Sequence, residues 1–501
     1  MKRFLKRALR WSAILLTILV LLLIFFYAEE NWRGARDWAT CQQNLTARGE
    51  TLDLSRLTSP ADPKNDLSKV SIFAELYQDE EALLNNKISP VHPRIDLVKT
   101  DLVRPSHGNS TPHYPDISKG ELTDIVSWQK FYRATPEAHL PGKIGTPAQD
   151  VLSALAQFDP DLAEIDIAIS NPNAYWPVNK PSEDHMVTYV GGMTTVAQLS
   201  SVLRLKAVAH LENQAPDLAE QDYLFCLRLN RPLTNQVTLI NFECAISVQR
   251  VAHAILFEGL HRHAWNLTQL GQMEAELGKA DLLAFALDGI RTDRTSMLEY
   301  MNLLQRLHWD VVNEAETSDT YYYFGLHHLP LSRVRPAGWW NIDRSTYSLD
   351  IQKHIDAIHL KEATISTDAF PYRDMSDSWG WNHPQANFWS SIYVPVTTFA
   401  MPYFDNLGHK IARAETYRRL ARLACRLEEY RIAHGQYPEK LDELPGLPAH
   451  LNQEVLSQQP LQYHQKGDTY QLYSLGWDQK DDGGKWPSIS ENDGDWSWPG
   501  P

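Results

Sequence analysis

The sharpest chemical signal in this sequence lies near its end. Asp478, Asp481 and Asp482 place three carboxylates within five residues, and Gly483 and Gly484 follow, where a tight turn needs no Cβ. A hard cation needs several oxygens at once. The cluster therefore points to calcium, with Asp493 and Asp495 able to return to the same place. The loop departs from the EF-hand register, because its third position is Lys480 and its twelfth is Ile489. The competing reading is an ordinary acidic surface turn.

Other chemistry-bearing residues are more scattered. Asp374 and Asp377 stand beside Trp379, Trp381 and Trp389, a combination that suits a glycosidase-like carboxylate pair with rings that stack on sugars. Buried packing is the commoner fate of tryptophan. His261 and His263 flank Arg262, and His327 and His328 are adjacent. Neither pair has the four-residue spacing with a nearby Glu that a helical zinc site uses. Cys41, Cys226, Cys244 and Cys425 form no CxxC pair and read as small buried hydrophobes. There is no GxSxG, HExxH, Walker loop or GxGxxG. No catalytic or cofactor-binding residue is assigned, and the balance favours a non-enzymatic protein.

The elements that carry these residues belong to a chain of 501 residues, 43% hydrophobic and 22% charged, an ordinary globular composition. Net charge is −15. The first ten residues hold Lys2, Arg3, Lys6, Arg7 and Arg10 and no acid, which leaves a balance of −20 on the rest. So acidic a body repels phosphate backbones, and nucleic-acid partners are disfavoured.

Trp11 to Tyr27, WSAILLTILVLLLIFFY, carries no charge. As a helix it would rise roughly 26 Å, at the short end of a membrane span. Trp11 and Tyr27 stand where amphipathic rings favour the headgroup level, and the basic residues lie on the N-terminal side. A cytoplasmic tail over 1–10, a transmembrane helix over 11–28 and an extracytoplasmic bulk are therefore expected. A cleaved signal peptide would need a small residue where Phe26 stands before Tyr27-Ala28, so the segment is read as an uncleaved anchor in the lipid bilayer.

Beyond the membrane, Trp32, Ala35, Trp38, Ala39, Gln42 and Leu45 recur at helical spacing, with Gly49 as C-cap. This predicts a juxtamembrane helix over 29–50. Residues 51–145 are broken by prolines, and only 72–84 has a helical pattern, so the stretch either wraps a domain or forms a stalk. From 146 to 315 the pattern is helical. Thr146 to Gln149 and Asn266 to Gln269 are capping boxes, Asp159-Pro160 reads as a further cap, and long helices are expected over 193–211 and 239–260. Lys206–Arg228 resembles one tetratricopeptide-type hairpin, without a 34-residue period. An aromatic-rich region over 316–402 holds one helix near 349–365. The stretch 403–501 then combines a long helix to His434, strands near 461–464 and 469–475, and the acidic loop. The expected fold is mainly α: a transmembrane helix, a helical-hairpin, solenoid-like middle domain and a small α+β C-terminal module.

That last module carries a resemblance. A long helix runs into Tyr430 and Gly435-Gln436-Tyr437-Pro438, followed by Leu441 and Leu444, two strands and the Gly476-Trp477-Asp478 loop. Over about 415–484 this layout resembles the globular part of the major pseudopilins of type II secretion, where such an acidic loop binds calcium. The resemblance implies that fold and that ion at Asp478, Asp481 and Asp482. The chain departs from it in placing some 390 residues between anchor and module, and in lacking the prepilin-peptidase pattern. The anchor, the Asn31-Trp32-Arg33-Gly34 start and the helical middle are similar to a group of uncharacterised bacterial membrane-anchored envelope proteins. The expectation is a single-pass scaffold of the bacterial inner membrane that contacts a protein partner in the envelope. The alternatives are an envelope glycan hydrolase and an accessory of a secretion or pilus-type system.

Overall fold

The structure is a computed structural model that describes residues 2–57, 62–70, 73–74, 102, 112–176, 193–235, 237–306, 335–370, 393–485 and 494–501. It is mainly helical, as expected, with two small antiparallel sheets.

The first helix, α1 (Lys2–Ala47), is continuous. The apolar run and the expected juxtamembrane helix are therefore one rod, and Gly49 follows in the left-handed region. From Leu9 it is long and apolar enough to cross a membrane, and its apolar window is uncovered by the rest of the protein. Past the apolar window, the rod lies against α10 (Ala337–Asp356). The buried stripe is Glu30, Gly34, Cys41 and Leu45, with Trp38 half-buried. Of the residues whose spacing predicted this helix, Trp32, Ala35, Ala39 and Gln42 are exposed. Close helix contact selects small residues, and hydrophobicity alone misses them.

Of residues 51–145, the described parts wrap the body. Short 3-10 turns at Pro63–Asn65, Leu67–Lys69 and Ile117–Lys119 are each capped by an Asp. The helix α2 (Ile125–Ala134), absent from the sequence reading, starts at Asp124, whose carboxylate accepts from Val126 and Ser127 N–H. It buries Trp128 and Tyr132. The helical pattern over 72–84 lies almost wholly outside the described residues.

The helical middle follows its sequence signals closely. Both capping boxes are present, at the starts of α3 (Pro147–Leu155) and α8 (Leu267–Gly278). Between them run α4 (Asp159–Ile169), α5 (Met193–Glu212), α6 (Pro216–Arg228) and α7 (Leu239–His261). Asp159 is not the cap expected of it, since it is already helical and its carboxylate pairs with Lys206. After α9 (Leu282–Arg306), α10 begins well before residue 349, and 358–365 is a hairpin, β1 (Ile358–His359) with β2 (Thr364–Ile365), not helix.

The long helix α11 (Leu407–His434) ends at Gly435, whose φ of 79° is the left-handed C-cap that glycine adopts without strain. The strands β3 (Gln462–Lys466) and β4 (Thr469–Ser474) appear as expected. A third strand, β5 (Trp496–Pro499), pairs with β4 so that Leu472 faces Trp498. One buried apolar cluster runs from Leu67 through the middle helices to Trp498. The helical middle and the C-terminal module thus share a core.

Candidate functional site

A cleft of about 610 Å³ lies between α5, α7 and α11, closed at one side by 114–118. Its wall carries Arg204, Arg250, Lys410 and Arg413 against the carboxylates of Asp116 and Glu243. Helical spacing sets the geometry: Arg250 and His253 share a face of α7, and His409, Lys410, Arg413 and Tyr417 share a face of α11.

Both carboxylates are engaged locally. Asp116 caps a 3-10 turn, accepting from Ser118 N–H at 3.0 Å and Ser118 Oγ at 2.7 Å. Glu243 accepts from Lys410 Nζ at 2.6 Å. The guanidinium of Arg204 is buried, lies 4.8 Å over the Tyr114 ring and, among the described residues, donates only to the Pro115 carbonyl, at 3.4 Å. Burial lowers its pKa, against the opposing pull of Tyr114 and Glu258, and the like charge of Arg250 adds to the lowering. Positive charge therefore collects here in a chain of net charge −15.

Two histidines are buried at the inner end. His253 is 3% exposed, and its Nε2 meets no hydrogen-bond partner among the described residues. Burial, then Arg418, pushes its pKa down to about 3, so the ring is neutral. Trp498 stands 6.0 Å from its ring, and Trp477 and Trp496 each lie 5.5 Å from His409. The Tyr417 hydroxyl is pushed up to about 12, chiefly by burial. The C-terminal strand thus backs the cleft, an arrangement the sequence reading missed entirely.

The acidic loop is arranged differently. Asp478 accepts from Lys480 N–H at 3.1 Å and pairs with its ammonium at 3.3 Å. Asp481 accepts from the Tyr473 hydroxyl at 3.1 Å and from Gly483 N–H at 2.9 Å. Asp495 does return to the loop, as expected, but it anchors backbone: its Oδ2 accepts from Asp482 N–H at 3.0 Å and Gly484 N–H at 2.6 Å. Burial and the charges of Asp481 and Asp482 push its carboxyl up to about 6. Among the described residues no three His, Cys, Asp or Glu side chains are grouped to hold a metal ion.

Other sequence candidates are also placed. All four cysteines are buried and unpaired with one another. His263 Nδ1 lies 2.9 Å from Glu428, which also accepts from the Tyr437 hydroxyl at 2.7 Å. That bond explains the Tyr of the Gly-Gln-Tyr-Pro signature: it ties the chain after Gly435 back to α11. His261 packs on Phe257. Asp374, Asp377, Trp379, Trp381, Trp389, His327, His328 and Asp493 lie outside the described residues.

The third notable place is the joint between anchor and body. Gly338 N–H donates to Asn31 Oδ1 at 2.8 Å, and Trp339 Nε1 donates to the buried Glu30 at 2.6 Å. Trp339 stacks on Tyr393 at 4.3 Å and meets Phe26 edge-on at 6.2 Å. Farther along, Glu50 is held by Arg291 at 3.0 Å and Arg294 at 2.7 Å, and Arg48 by Asp356 at 2.5 Å. No family model matches this sequence, and no curated protein or solved structure is similar to it, so these three places are what its function has to be read from.

Proposed function

We propose that this chain is a membrane-tethered, non-enzymatic interaction protein of the bacterial cell envelope, presenting one helical body at the outer face of the cytoplasmic membrane. The observation that carries the reading is the continuity of α1, which passes without a break from the apolar window into a packed contact with α10. A flexible linker would let the body move freely, whereas a rod packed along its length fixes the body's height and orientation. The basic N-terminal residues support a cytoplasmic tail. The glycosidase alternative rests on residues outside the described part.

Fractionation tests the reading. The full chain should stay with the membrane pellet through high salt and alkaline carbonate, and the purified protein should not hydrolyse envelope glycan. Release into the supernatant removes the tether, and glycan turnover removes the non-enzymatic assignment.

A further inference from the structure

The cleft between α5, α7 and α11 has no part in tethering, yet it is built at some electrostatic expense. Four cationic side chains line it against two carboxylates, one of which accepts from Lys410. Arg204 brings its charge into a nearly closed environment with one long bond to a carbonyl oxygen. Tyr114 and Glu258 act favourably on that charge, yet burial still lowers its pKa, and a buried charge held by one long bond is costly unless something pairs with it. His253 adds a buried ring nitrogen with no partner at the inner end of the same recess. The volume, about 610 Å³, falls in the range typical of small-molecule sites.

We propose that this cleft binds a small soluble anion through its phosphate or carboxylate groups, with Arg204, Arg250 and Arg413 as the charge-pairing side chains and His253 as a polar contact at the inner end. Guanidinium forks suit both groups, because their paired N–H donors match two oxygens at once. The Tyr114 and Tyr417 rings offer flat walls to the remainder of the ligand. Among the lining side chains only Pro115, Ile117, Ile246, Ala254 and Ala414 are aliphatic. That is too little apolar surface to seat acyl chains, which favours a soluble molecule over a lipid headgroup.

The test uses the full chain in maltoside micelles, which carry no phosphate. Pyrophosphate, citrate and a short-chain phosphatidylglycerol are titrated separately while the thermal melt is followed, with sodium chloride at matched ionic strength as control. A saturable rise in Tm with pyrophosphate or citrate, beyond the salt control, is expected, because a ligand of the folded state stabilises it in proportion to ln(1 + [L]/Kd). The double variant Arg250→Gln/Arg413→Gln removes two cations near the mouth, where Arg250 is exposed and Arg413 half-buried. Measured from its own ligand-free melt, it should need at least about tenfold more anion for the same rise, the equivalent of one lost charged contact. Arg204→Lys keeps the charge but loses the fork and should weaken binding less. No response beyond salt overturns the proposal. So does an equal response in the double variant, and a response to the lipid alone overturns the assignment to a soluble anion.

Discussion

Gly34 of the anchor helix and Gly338 of α10 meet backbone to backbone. A Cβ built on Gly34 would fall inside the van der Waals shell of the Gly338 carbonyl oxygen, and one built on Gly338 would fall on the carbonyl of Glu30. Neither contact can be relieved by a side-chain rotation, since the opposing atoms are main chain. The crossing also brings Asn31 and Glu30 within reach of Gly338 N–H and the Trp339 indole. Gly34→Ala or Gly338→Ala should push the helices apart, weaken both bonds and cost about 1–3 kcal/mol. The check is a thermal melt with limited proteolysis: cleavage near 48–57 should accelerate in both variants. An unchanged cleavage rate would show that the joint is loose already.

The C-terminal strand should be as important to the body as any middle helix. Trp498 is buried against His253 and Phe257, and Trp496 against His409. Trp498→Ala leaves a large void beneath the cleft and should cost about 3–5 kcal/mol. Denaturant unfolding measures it, with the midpoint falling at nearly constant slope.

Glu454 gives a pH signature. Its carboxylate is buried and accepts from Ser474 Oγ at 2.5 Å and Leu475 N–H at 2.9 Å, and burial pushes its pKa up to about 7. A carboxyl whose folded value is raised binds its proton more tightly in the folded state than in the unfolded one. Its ionisation therefore costs stability above about pH 7, and the cost fades as pH falls through that value toward the unfolded carboxyl range. Glu454→Gln keeps a group that can bond Ser474 and Leu475 without the charge. It should be more stable than the parent at pH 8, on the order of 1–3 kcal/mol, and equal to it at pH 4. Equal melts at both pH values would contradict the burial of this carboxylate.

The acidic loop makes a specific demand on calcium. An ion would compete with Lys480 for Asp478, and with Tyr473 and Gly483 for one oxygen of Asp481. Melts of the full chain in chelator and in millimolar calcium, with magnesium as control, are expected to coincide. A calcium-specific rise abolished by Asp481→Asn/Asp482→Asn would establish a site there instead.

Local signals were the readable part of this fold. The capping boxes at Thr146 and Asn266 and the left-handed stop at Gly435 depend on neighbouring residues only, and each is where the sequence places it. Long-range partners were not readable. The buried stripe of α1 is chosen by the approach of Gly338, some 300 residues away, so apolar spacing found the helix but only Trp38 and Leu45 of its packed side. Trp339 and Trp340 fall in the aromatic-rich region over 316–402, where the sequence reading placed a helix only near 349–365, yet they start a helix whose indole and backbone contacts lie on α1. The cleft draws its cations from helices far apart in the chain, and its faint trace was helical spacing: Arg250 with His253, and His409 with Arg413 and Tyr417. Charge spread that thinly does not look like a motif.

The orientation of the body decides the central claim, and the protein supplies its own clean background for measuring it. Cys41, Cys226, Cys244 and Cys425 are all buried, so a membrane-impermeant maleimide should leave the native chain nearly unlabelled. Lys6 and Glu439 are exposed on opposite sides of the apolar window. In intact spheroplasts, Glu439→Cys should label at once, whereas Lys6→Cys should label only after lysis. Labelling of Lys6→Cys in intact spheroplasts, with Glu439→Cys protected until lysis, would place the body in the cytoplasm and contradict the account.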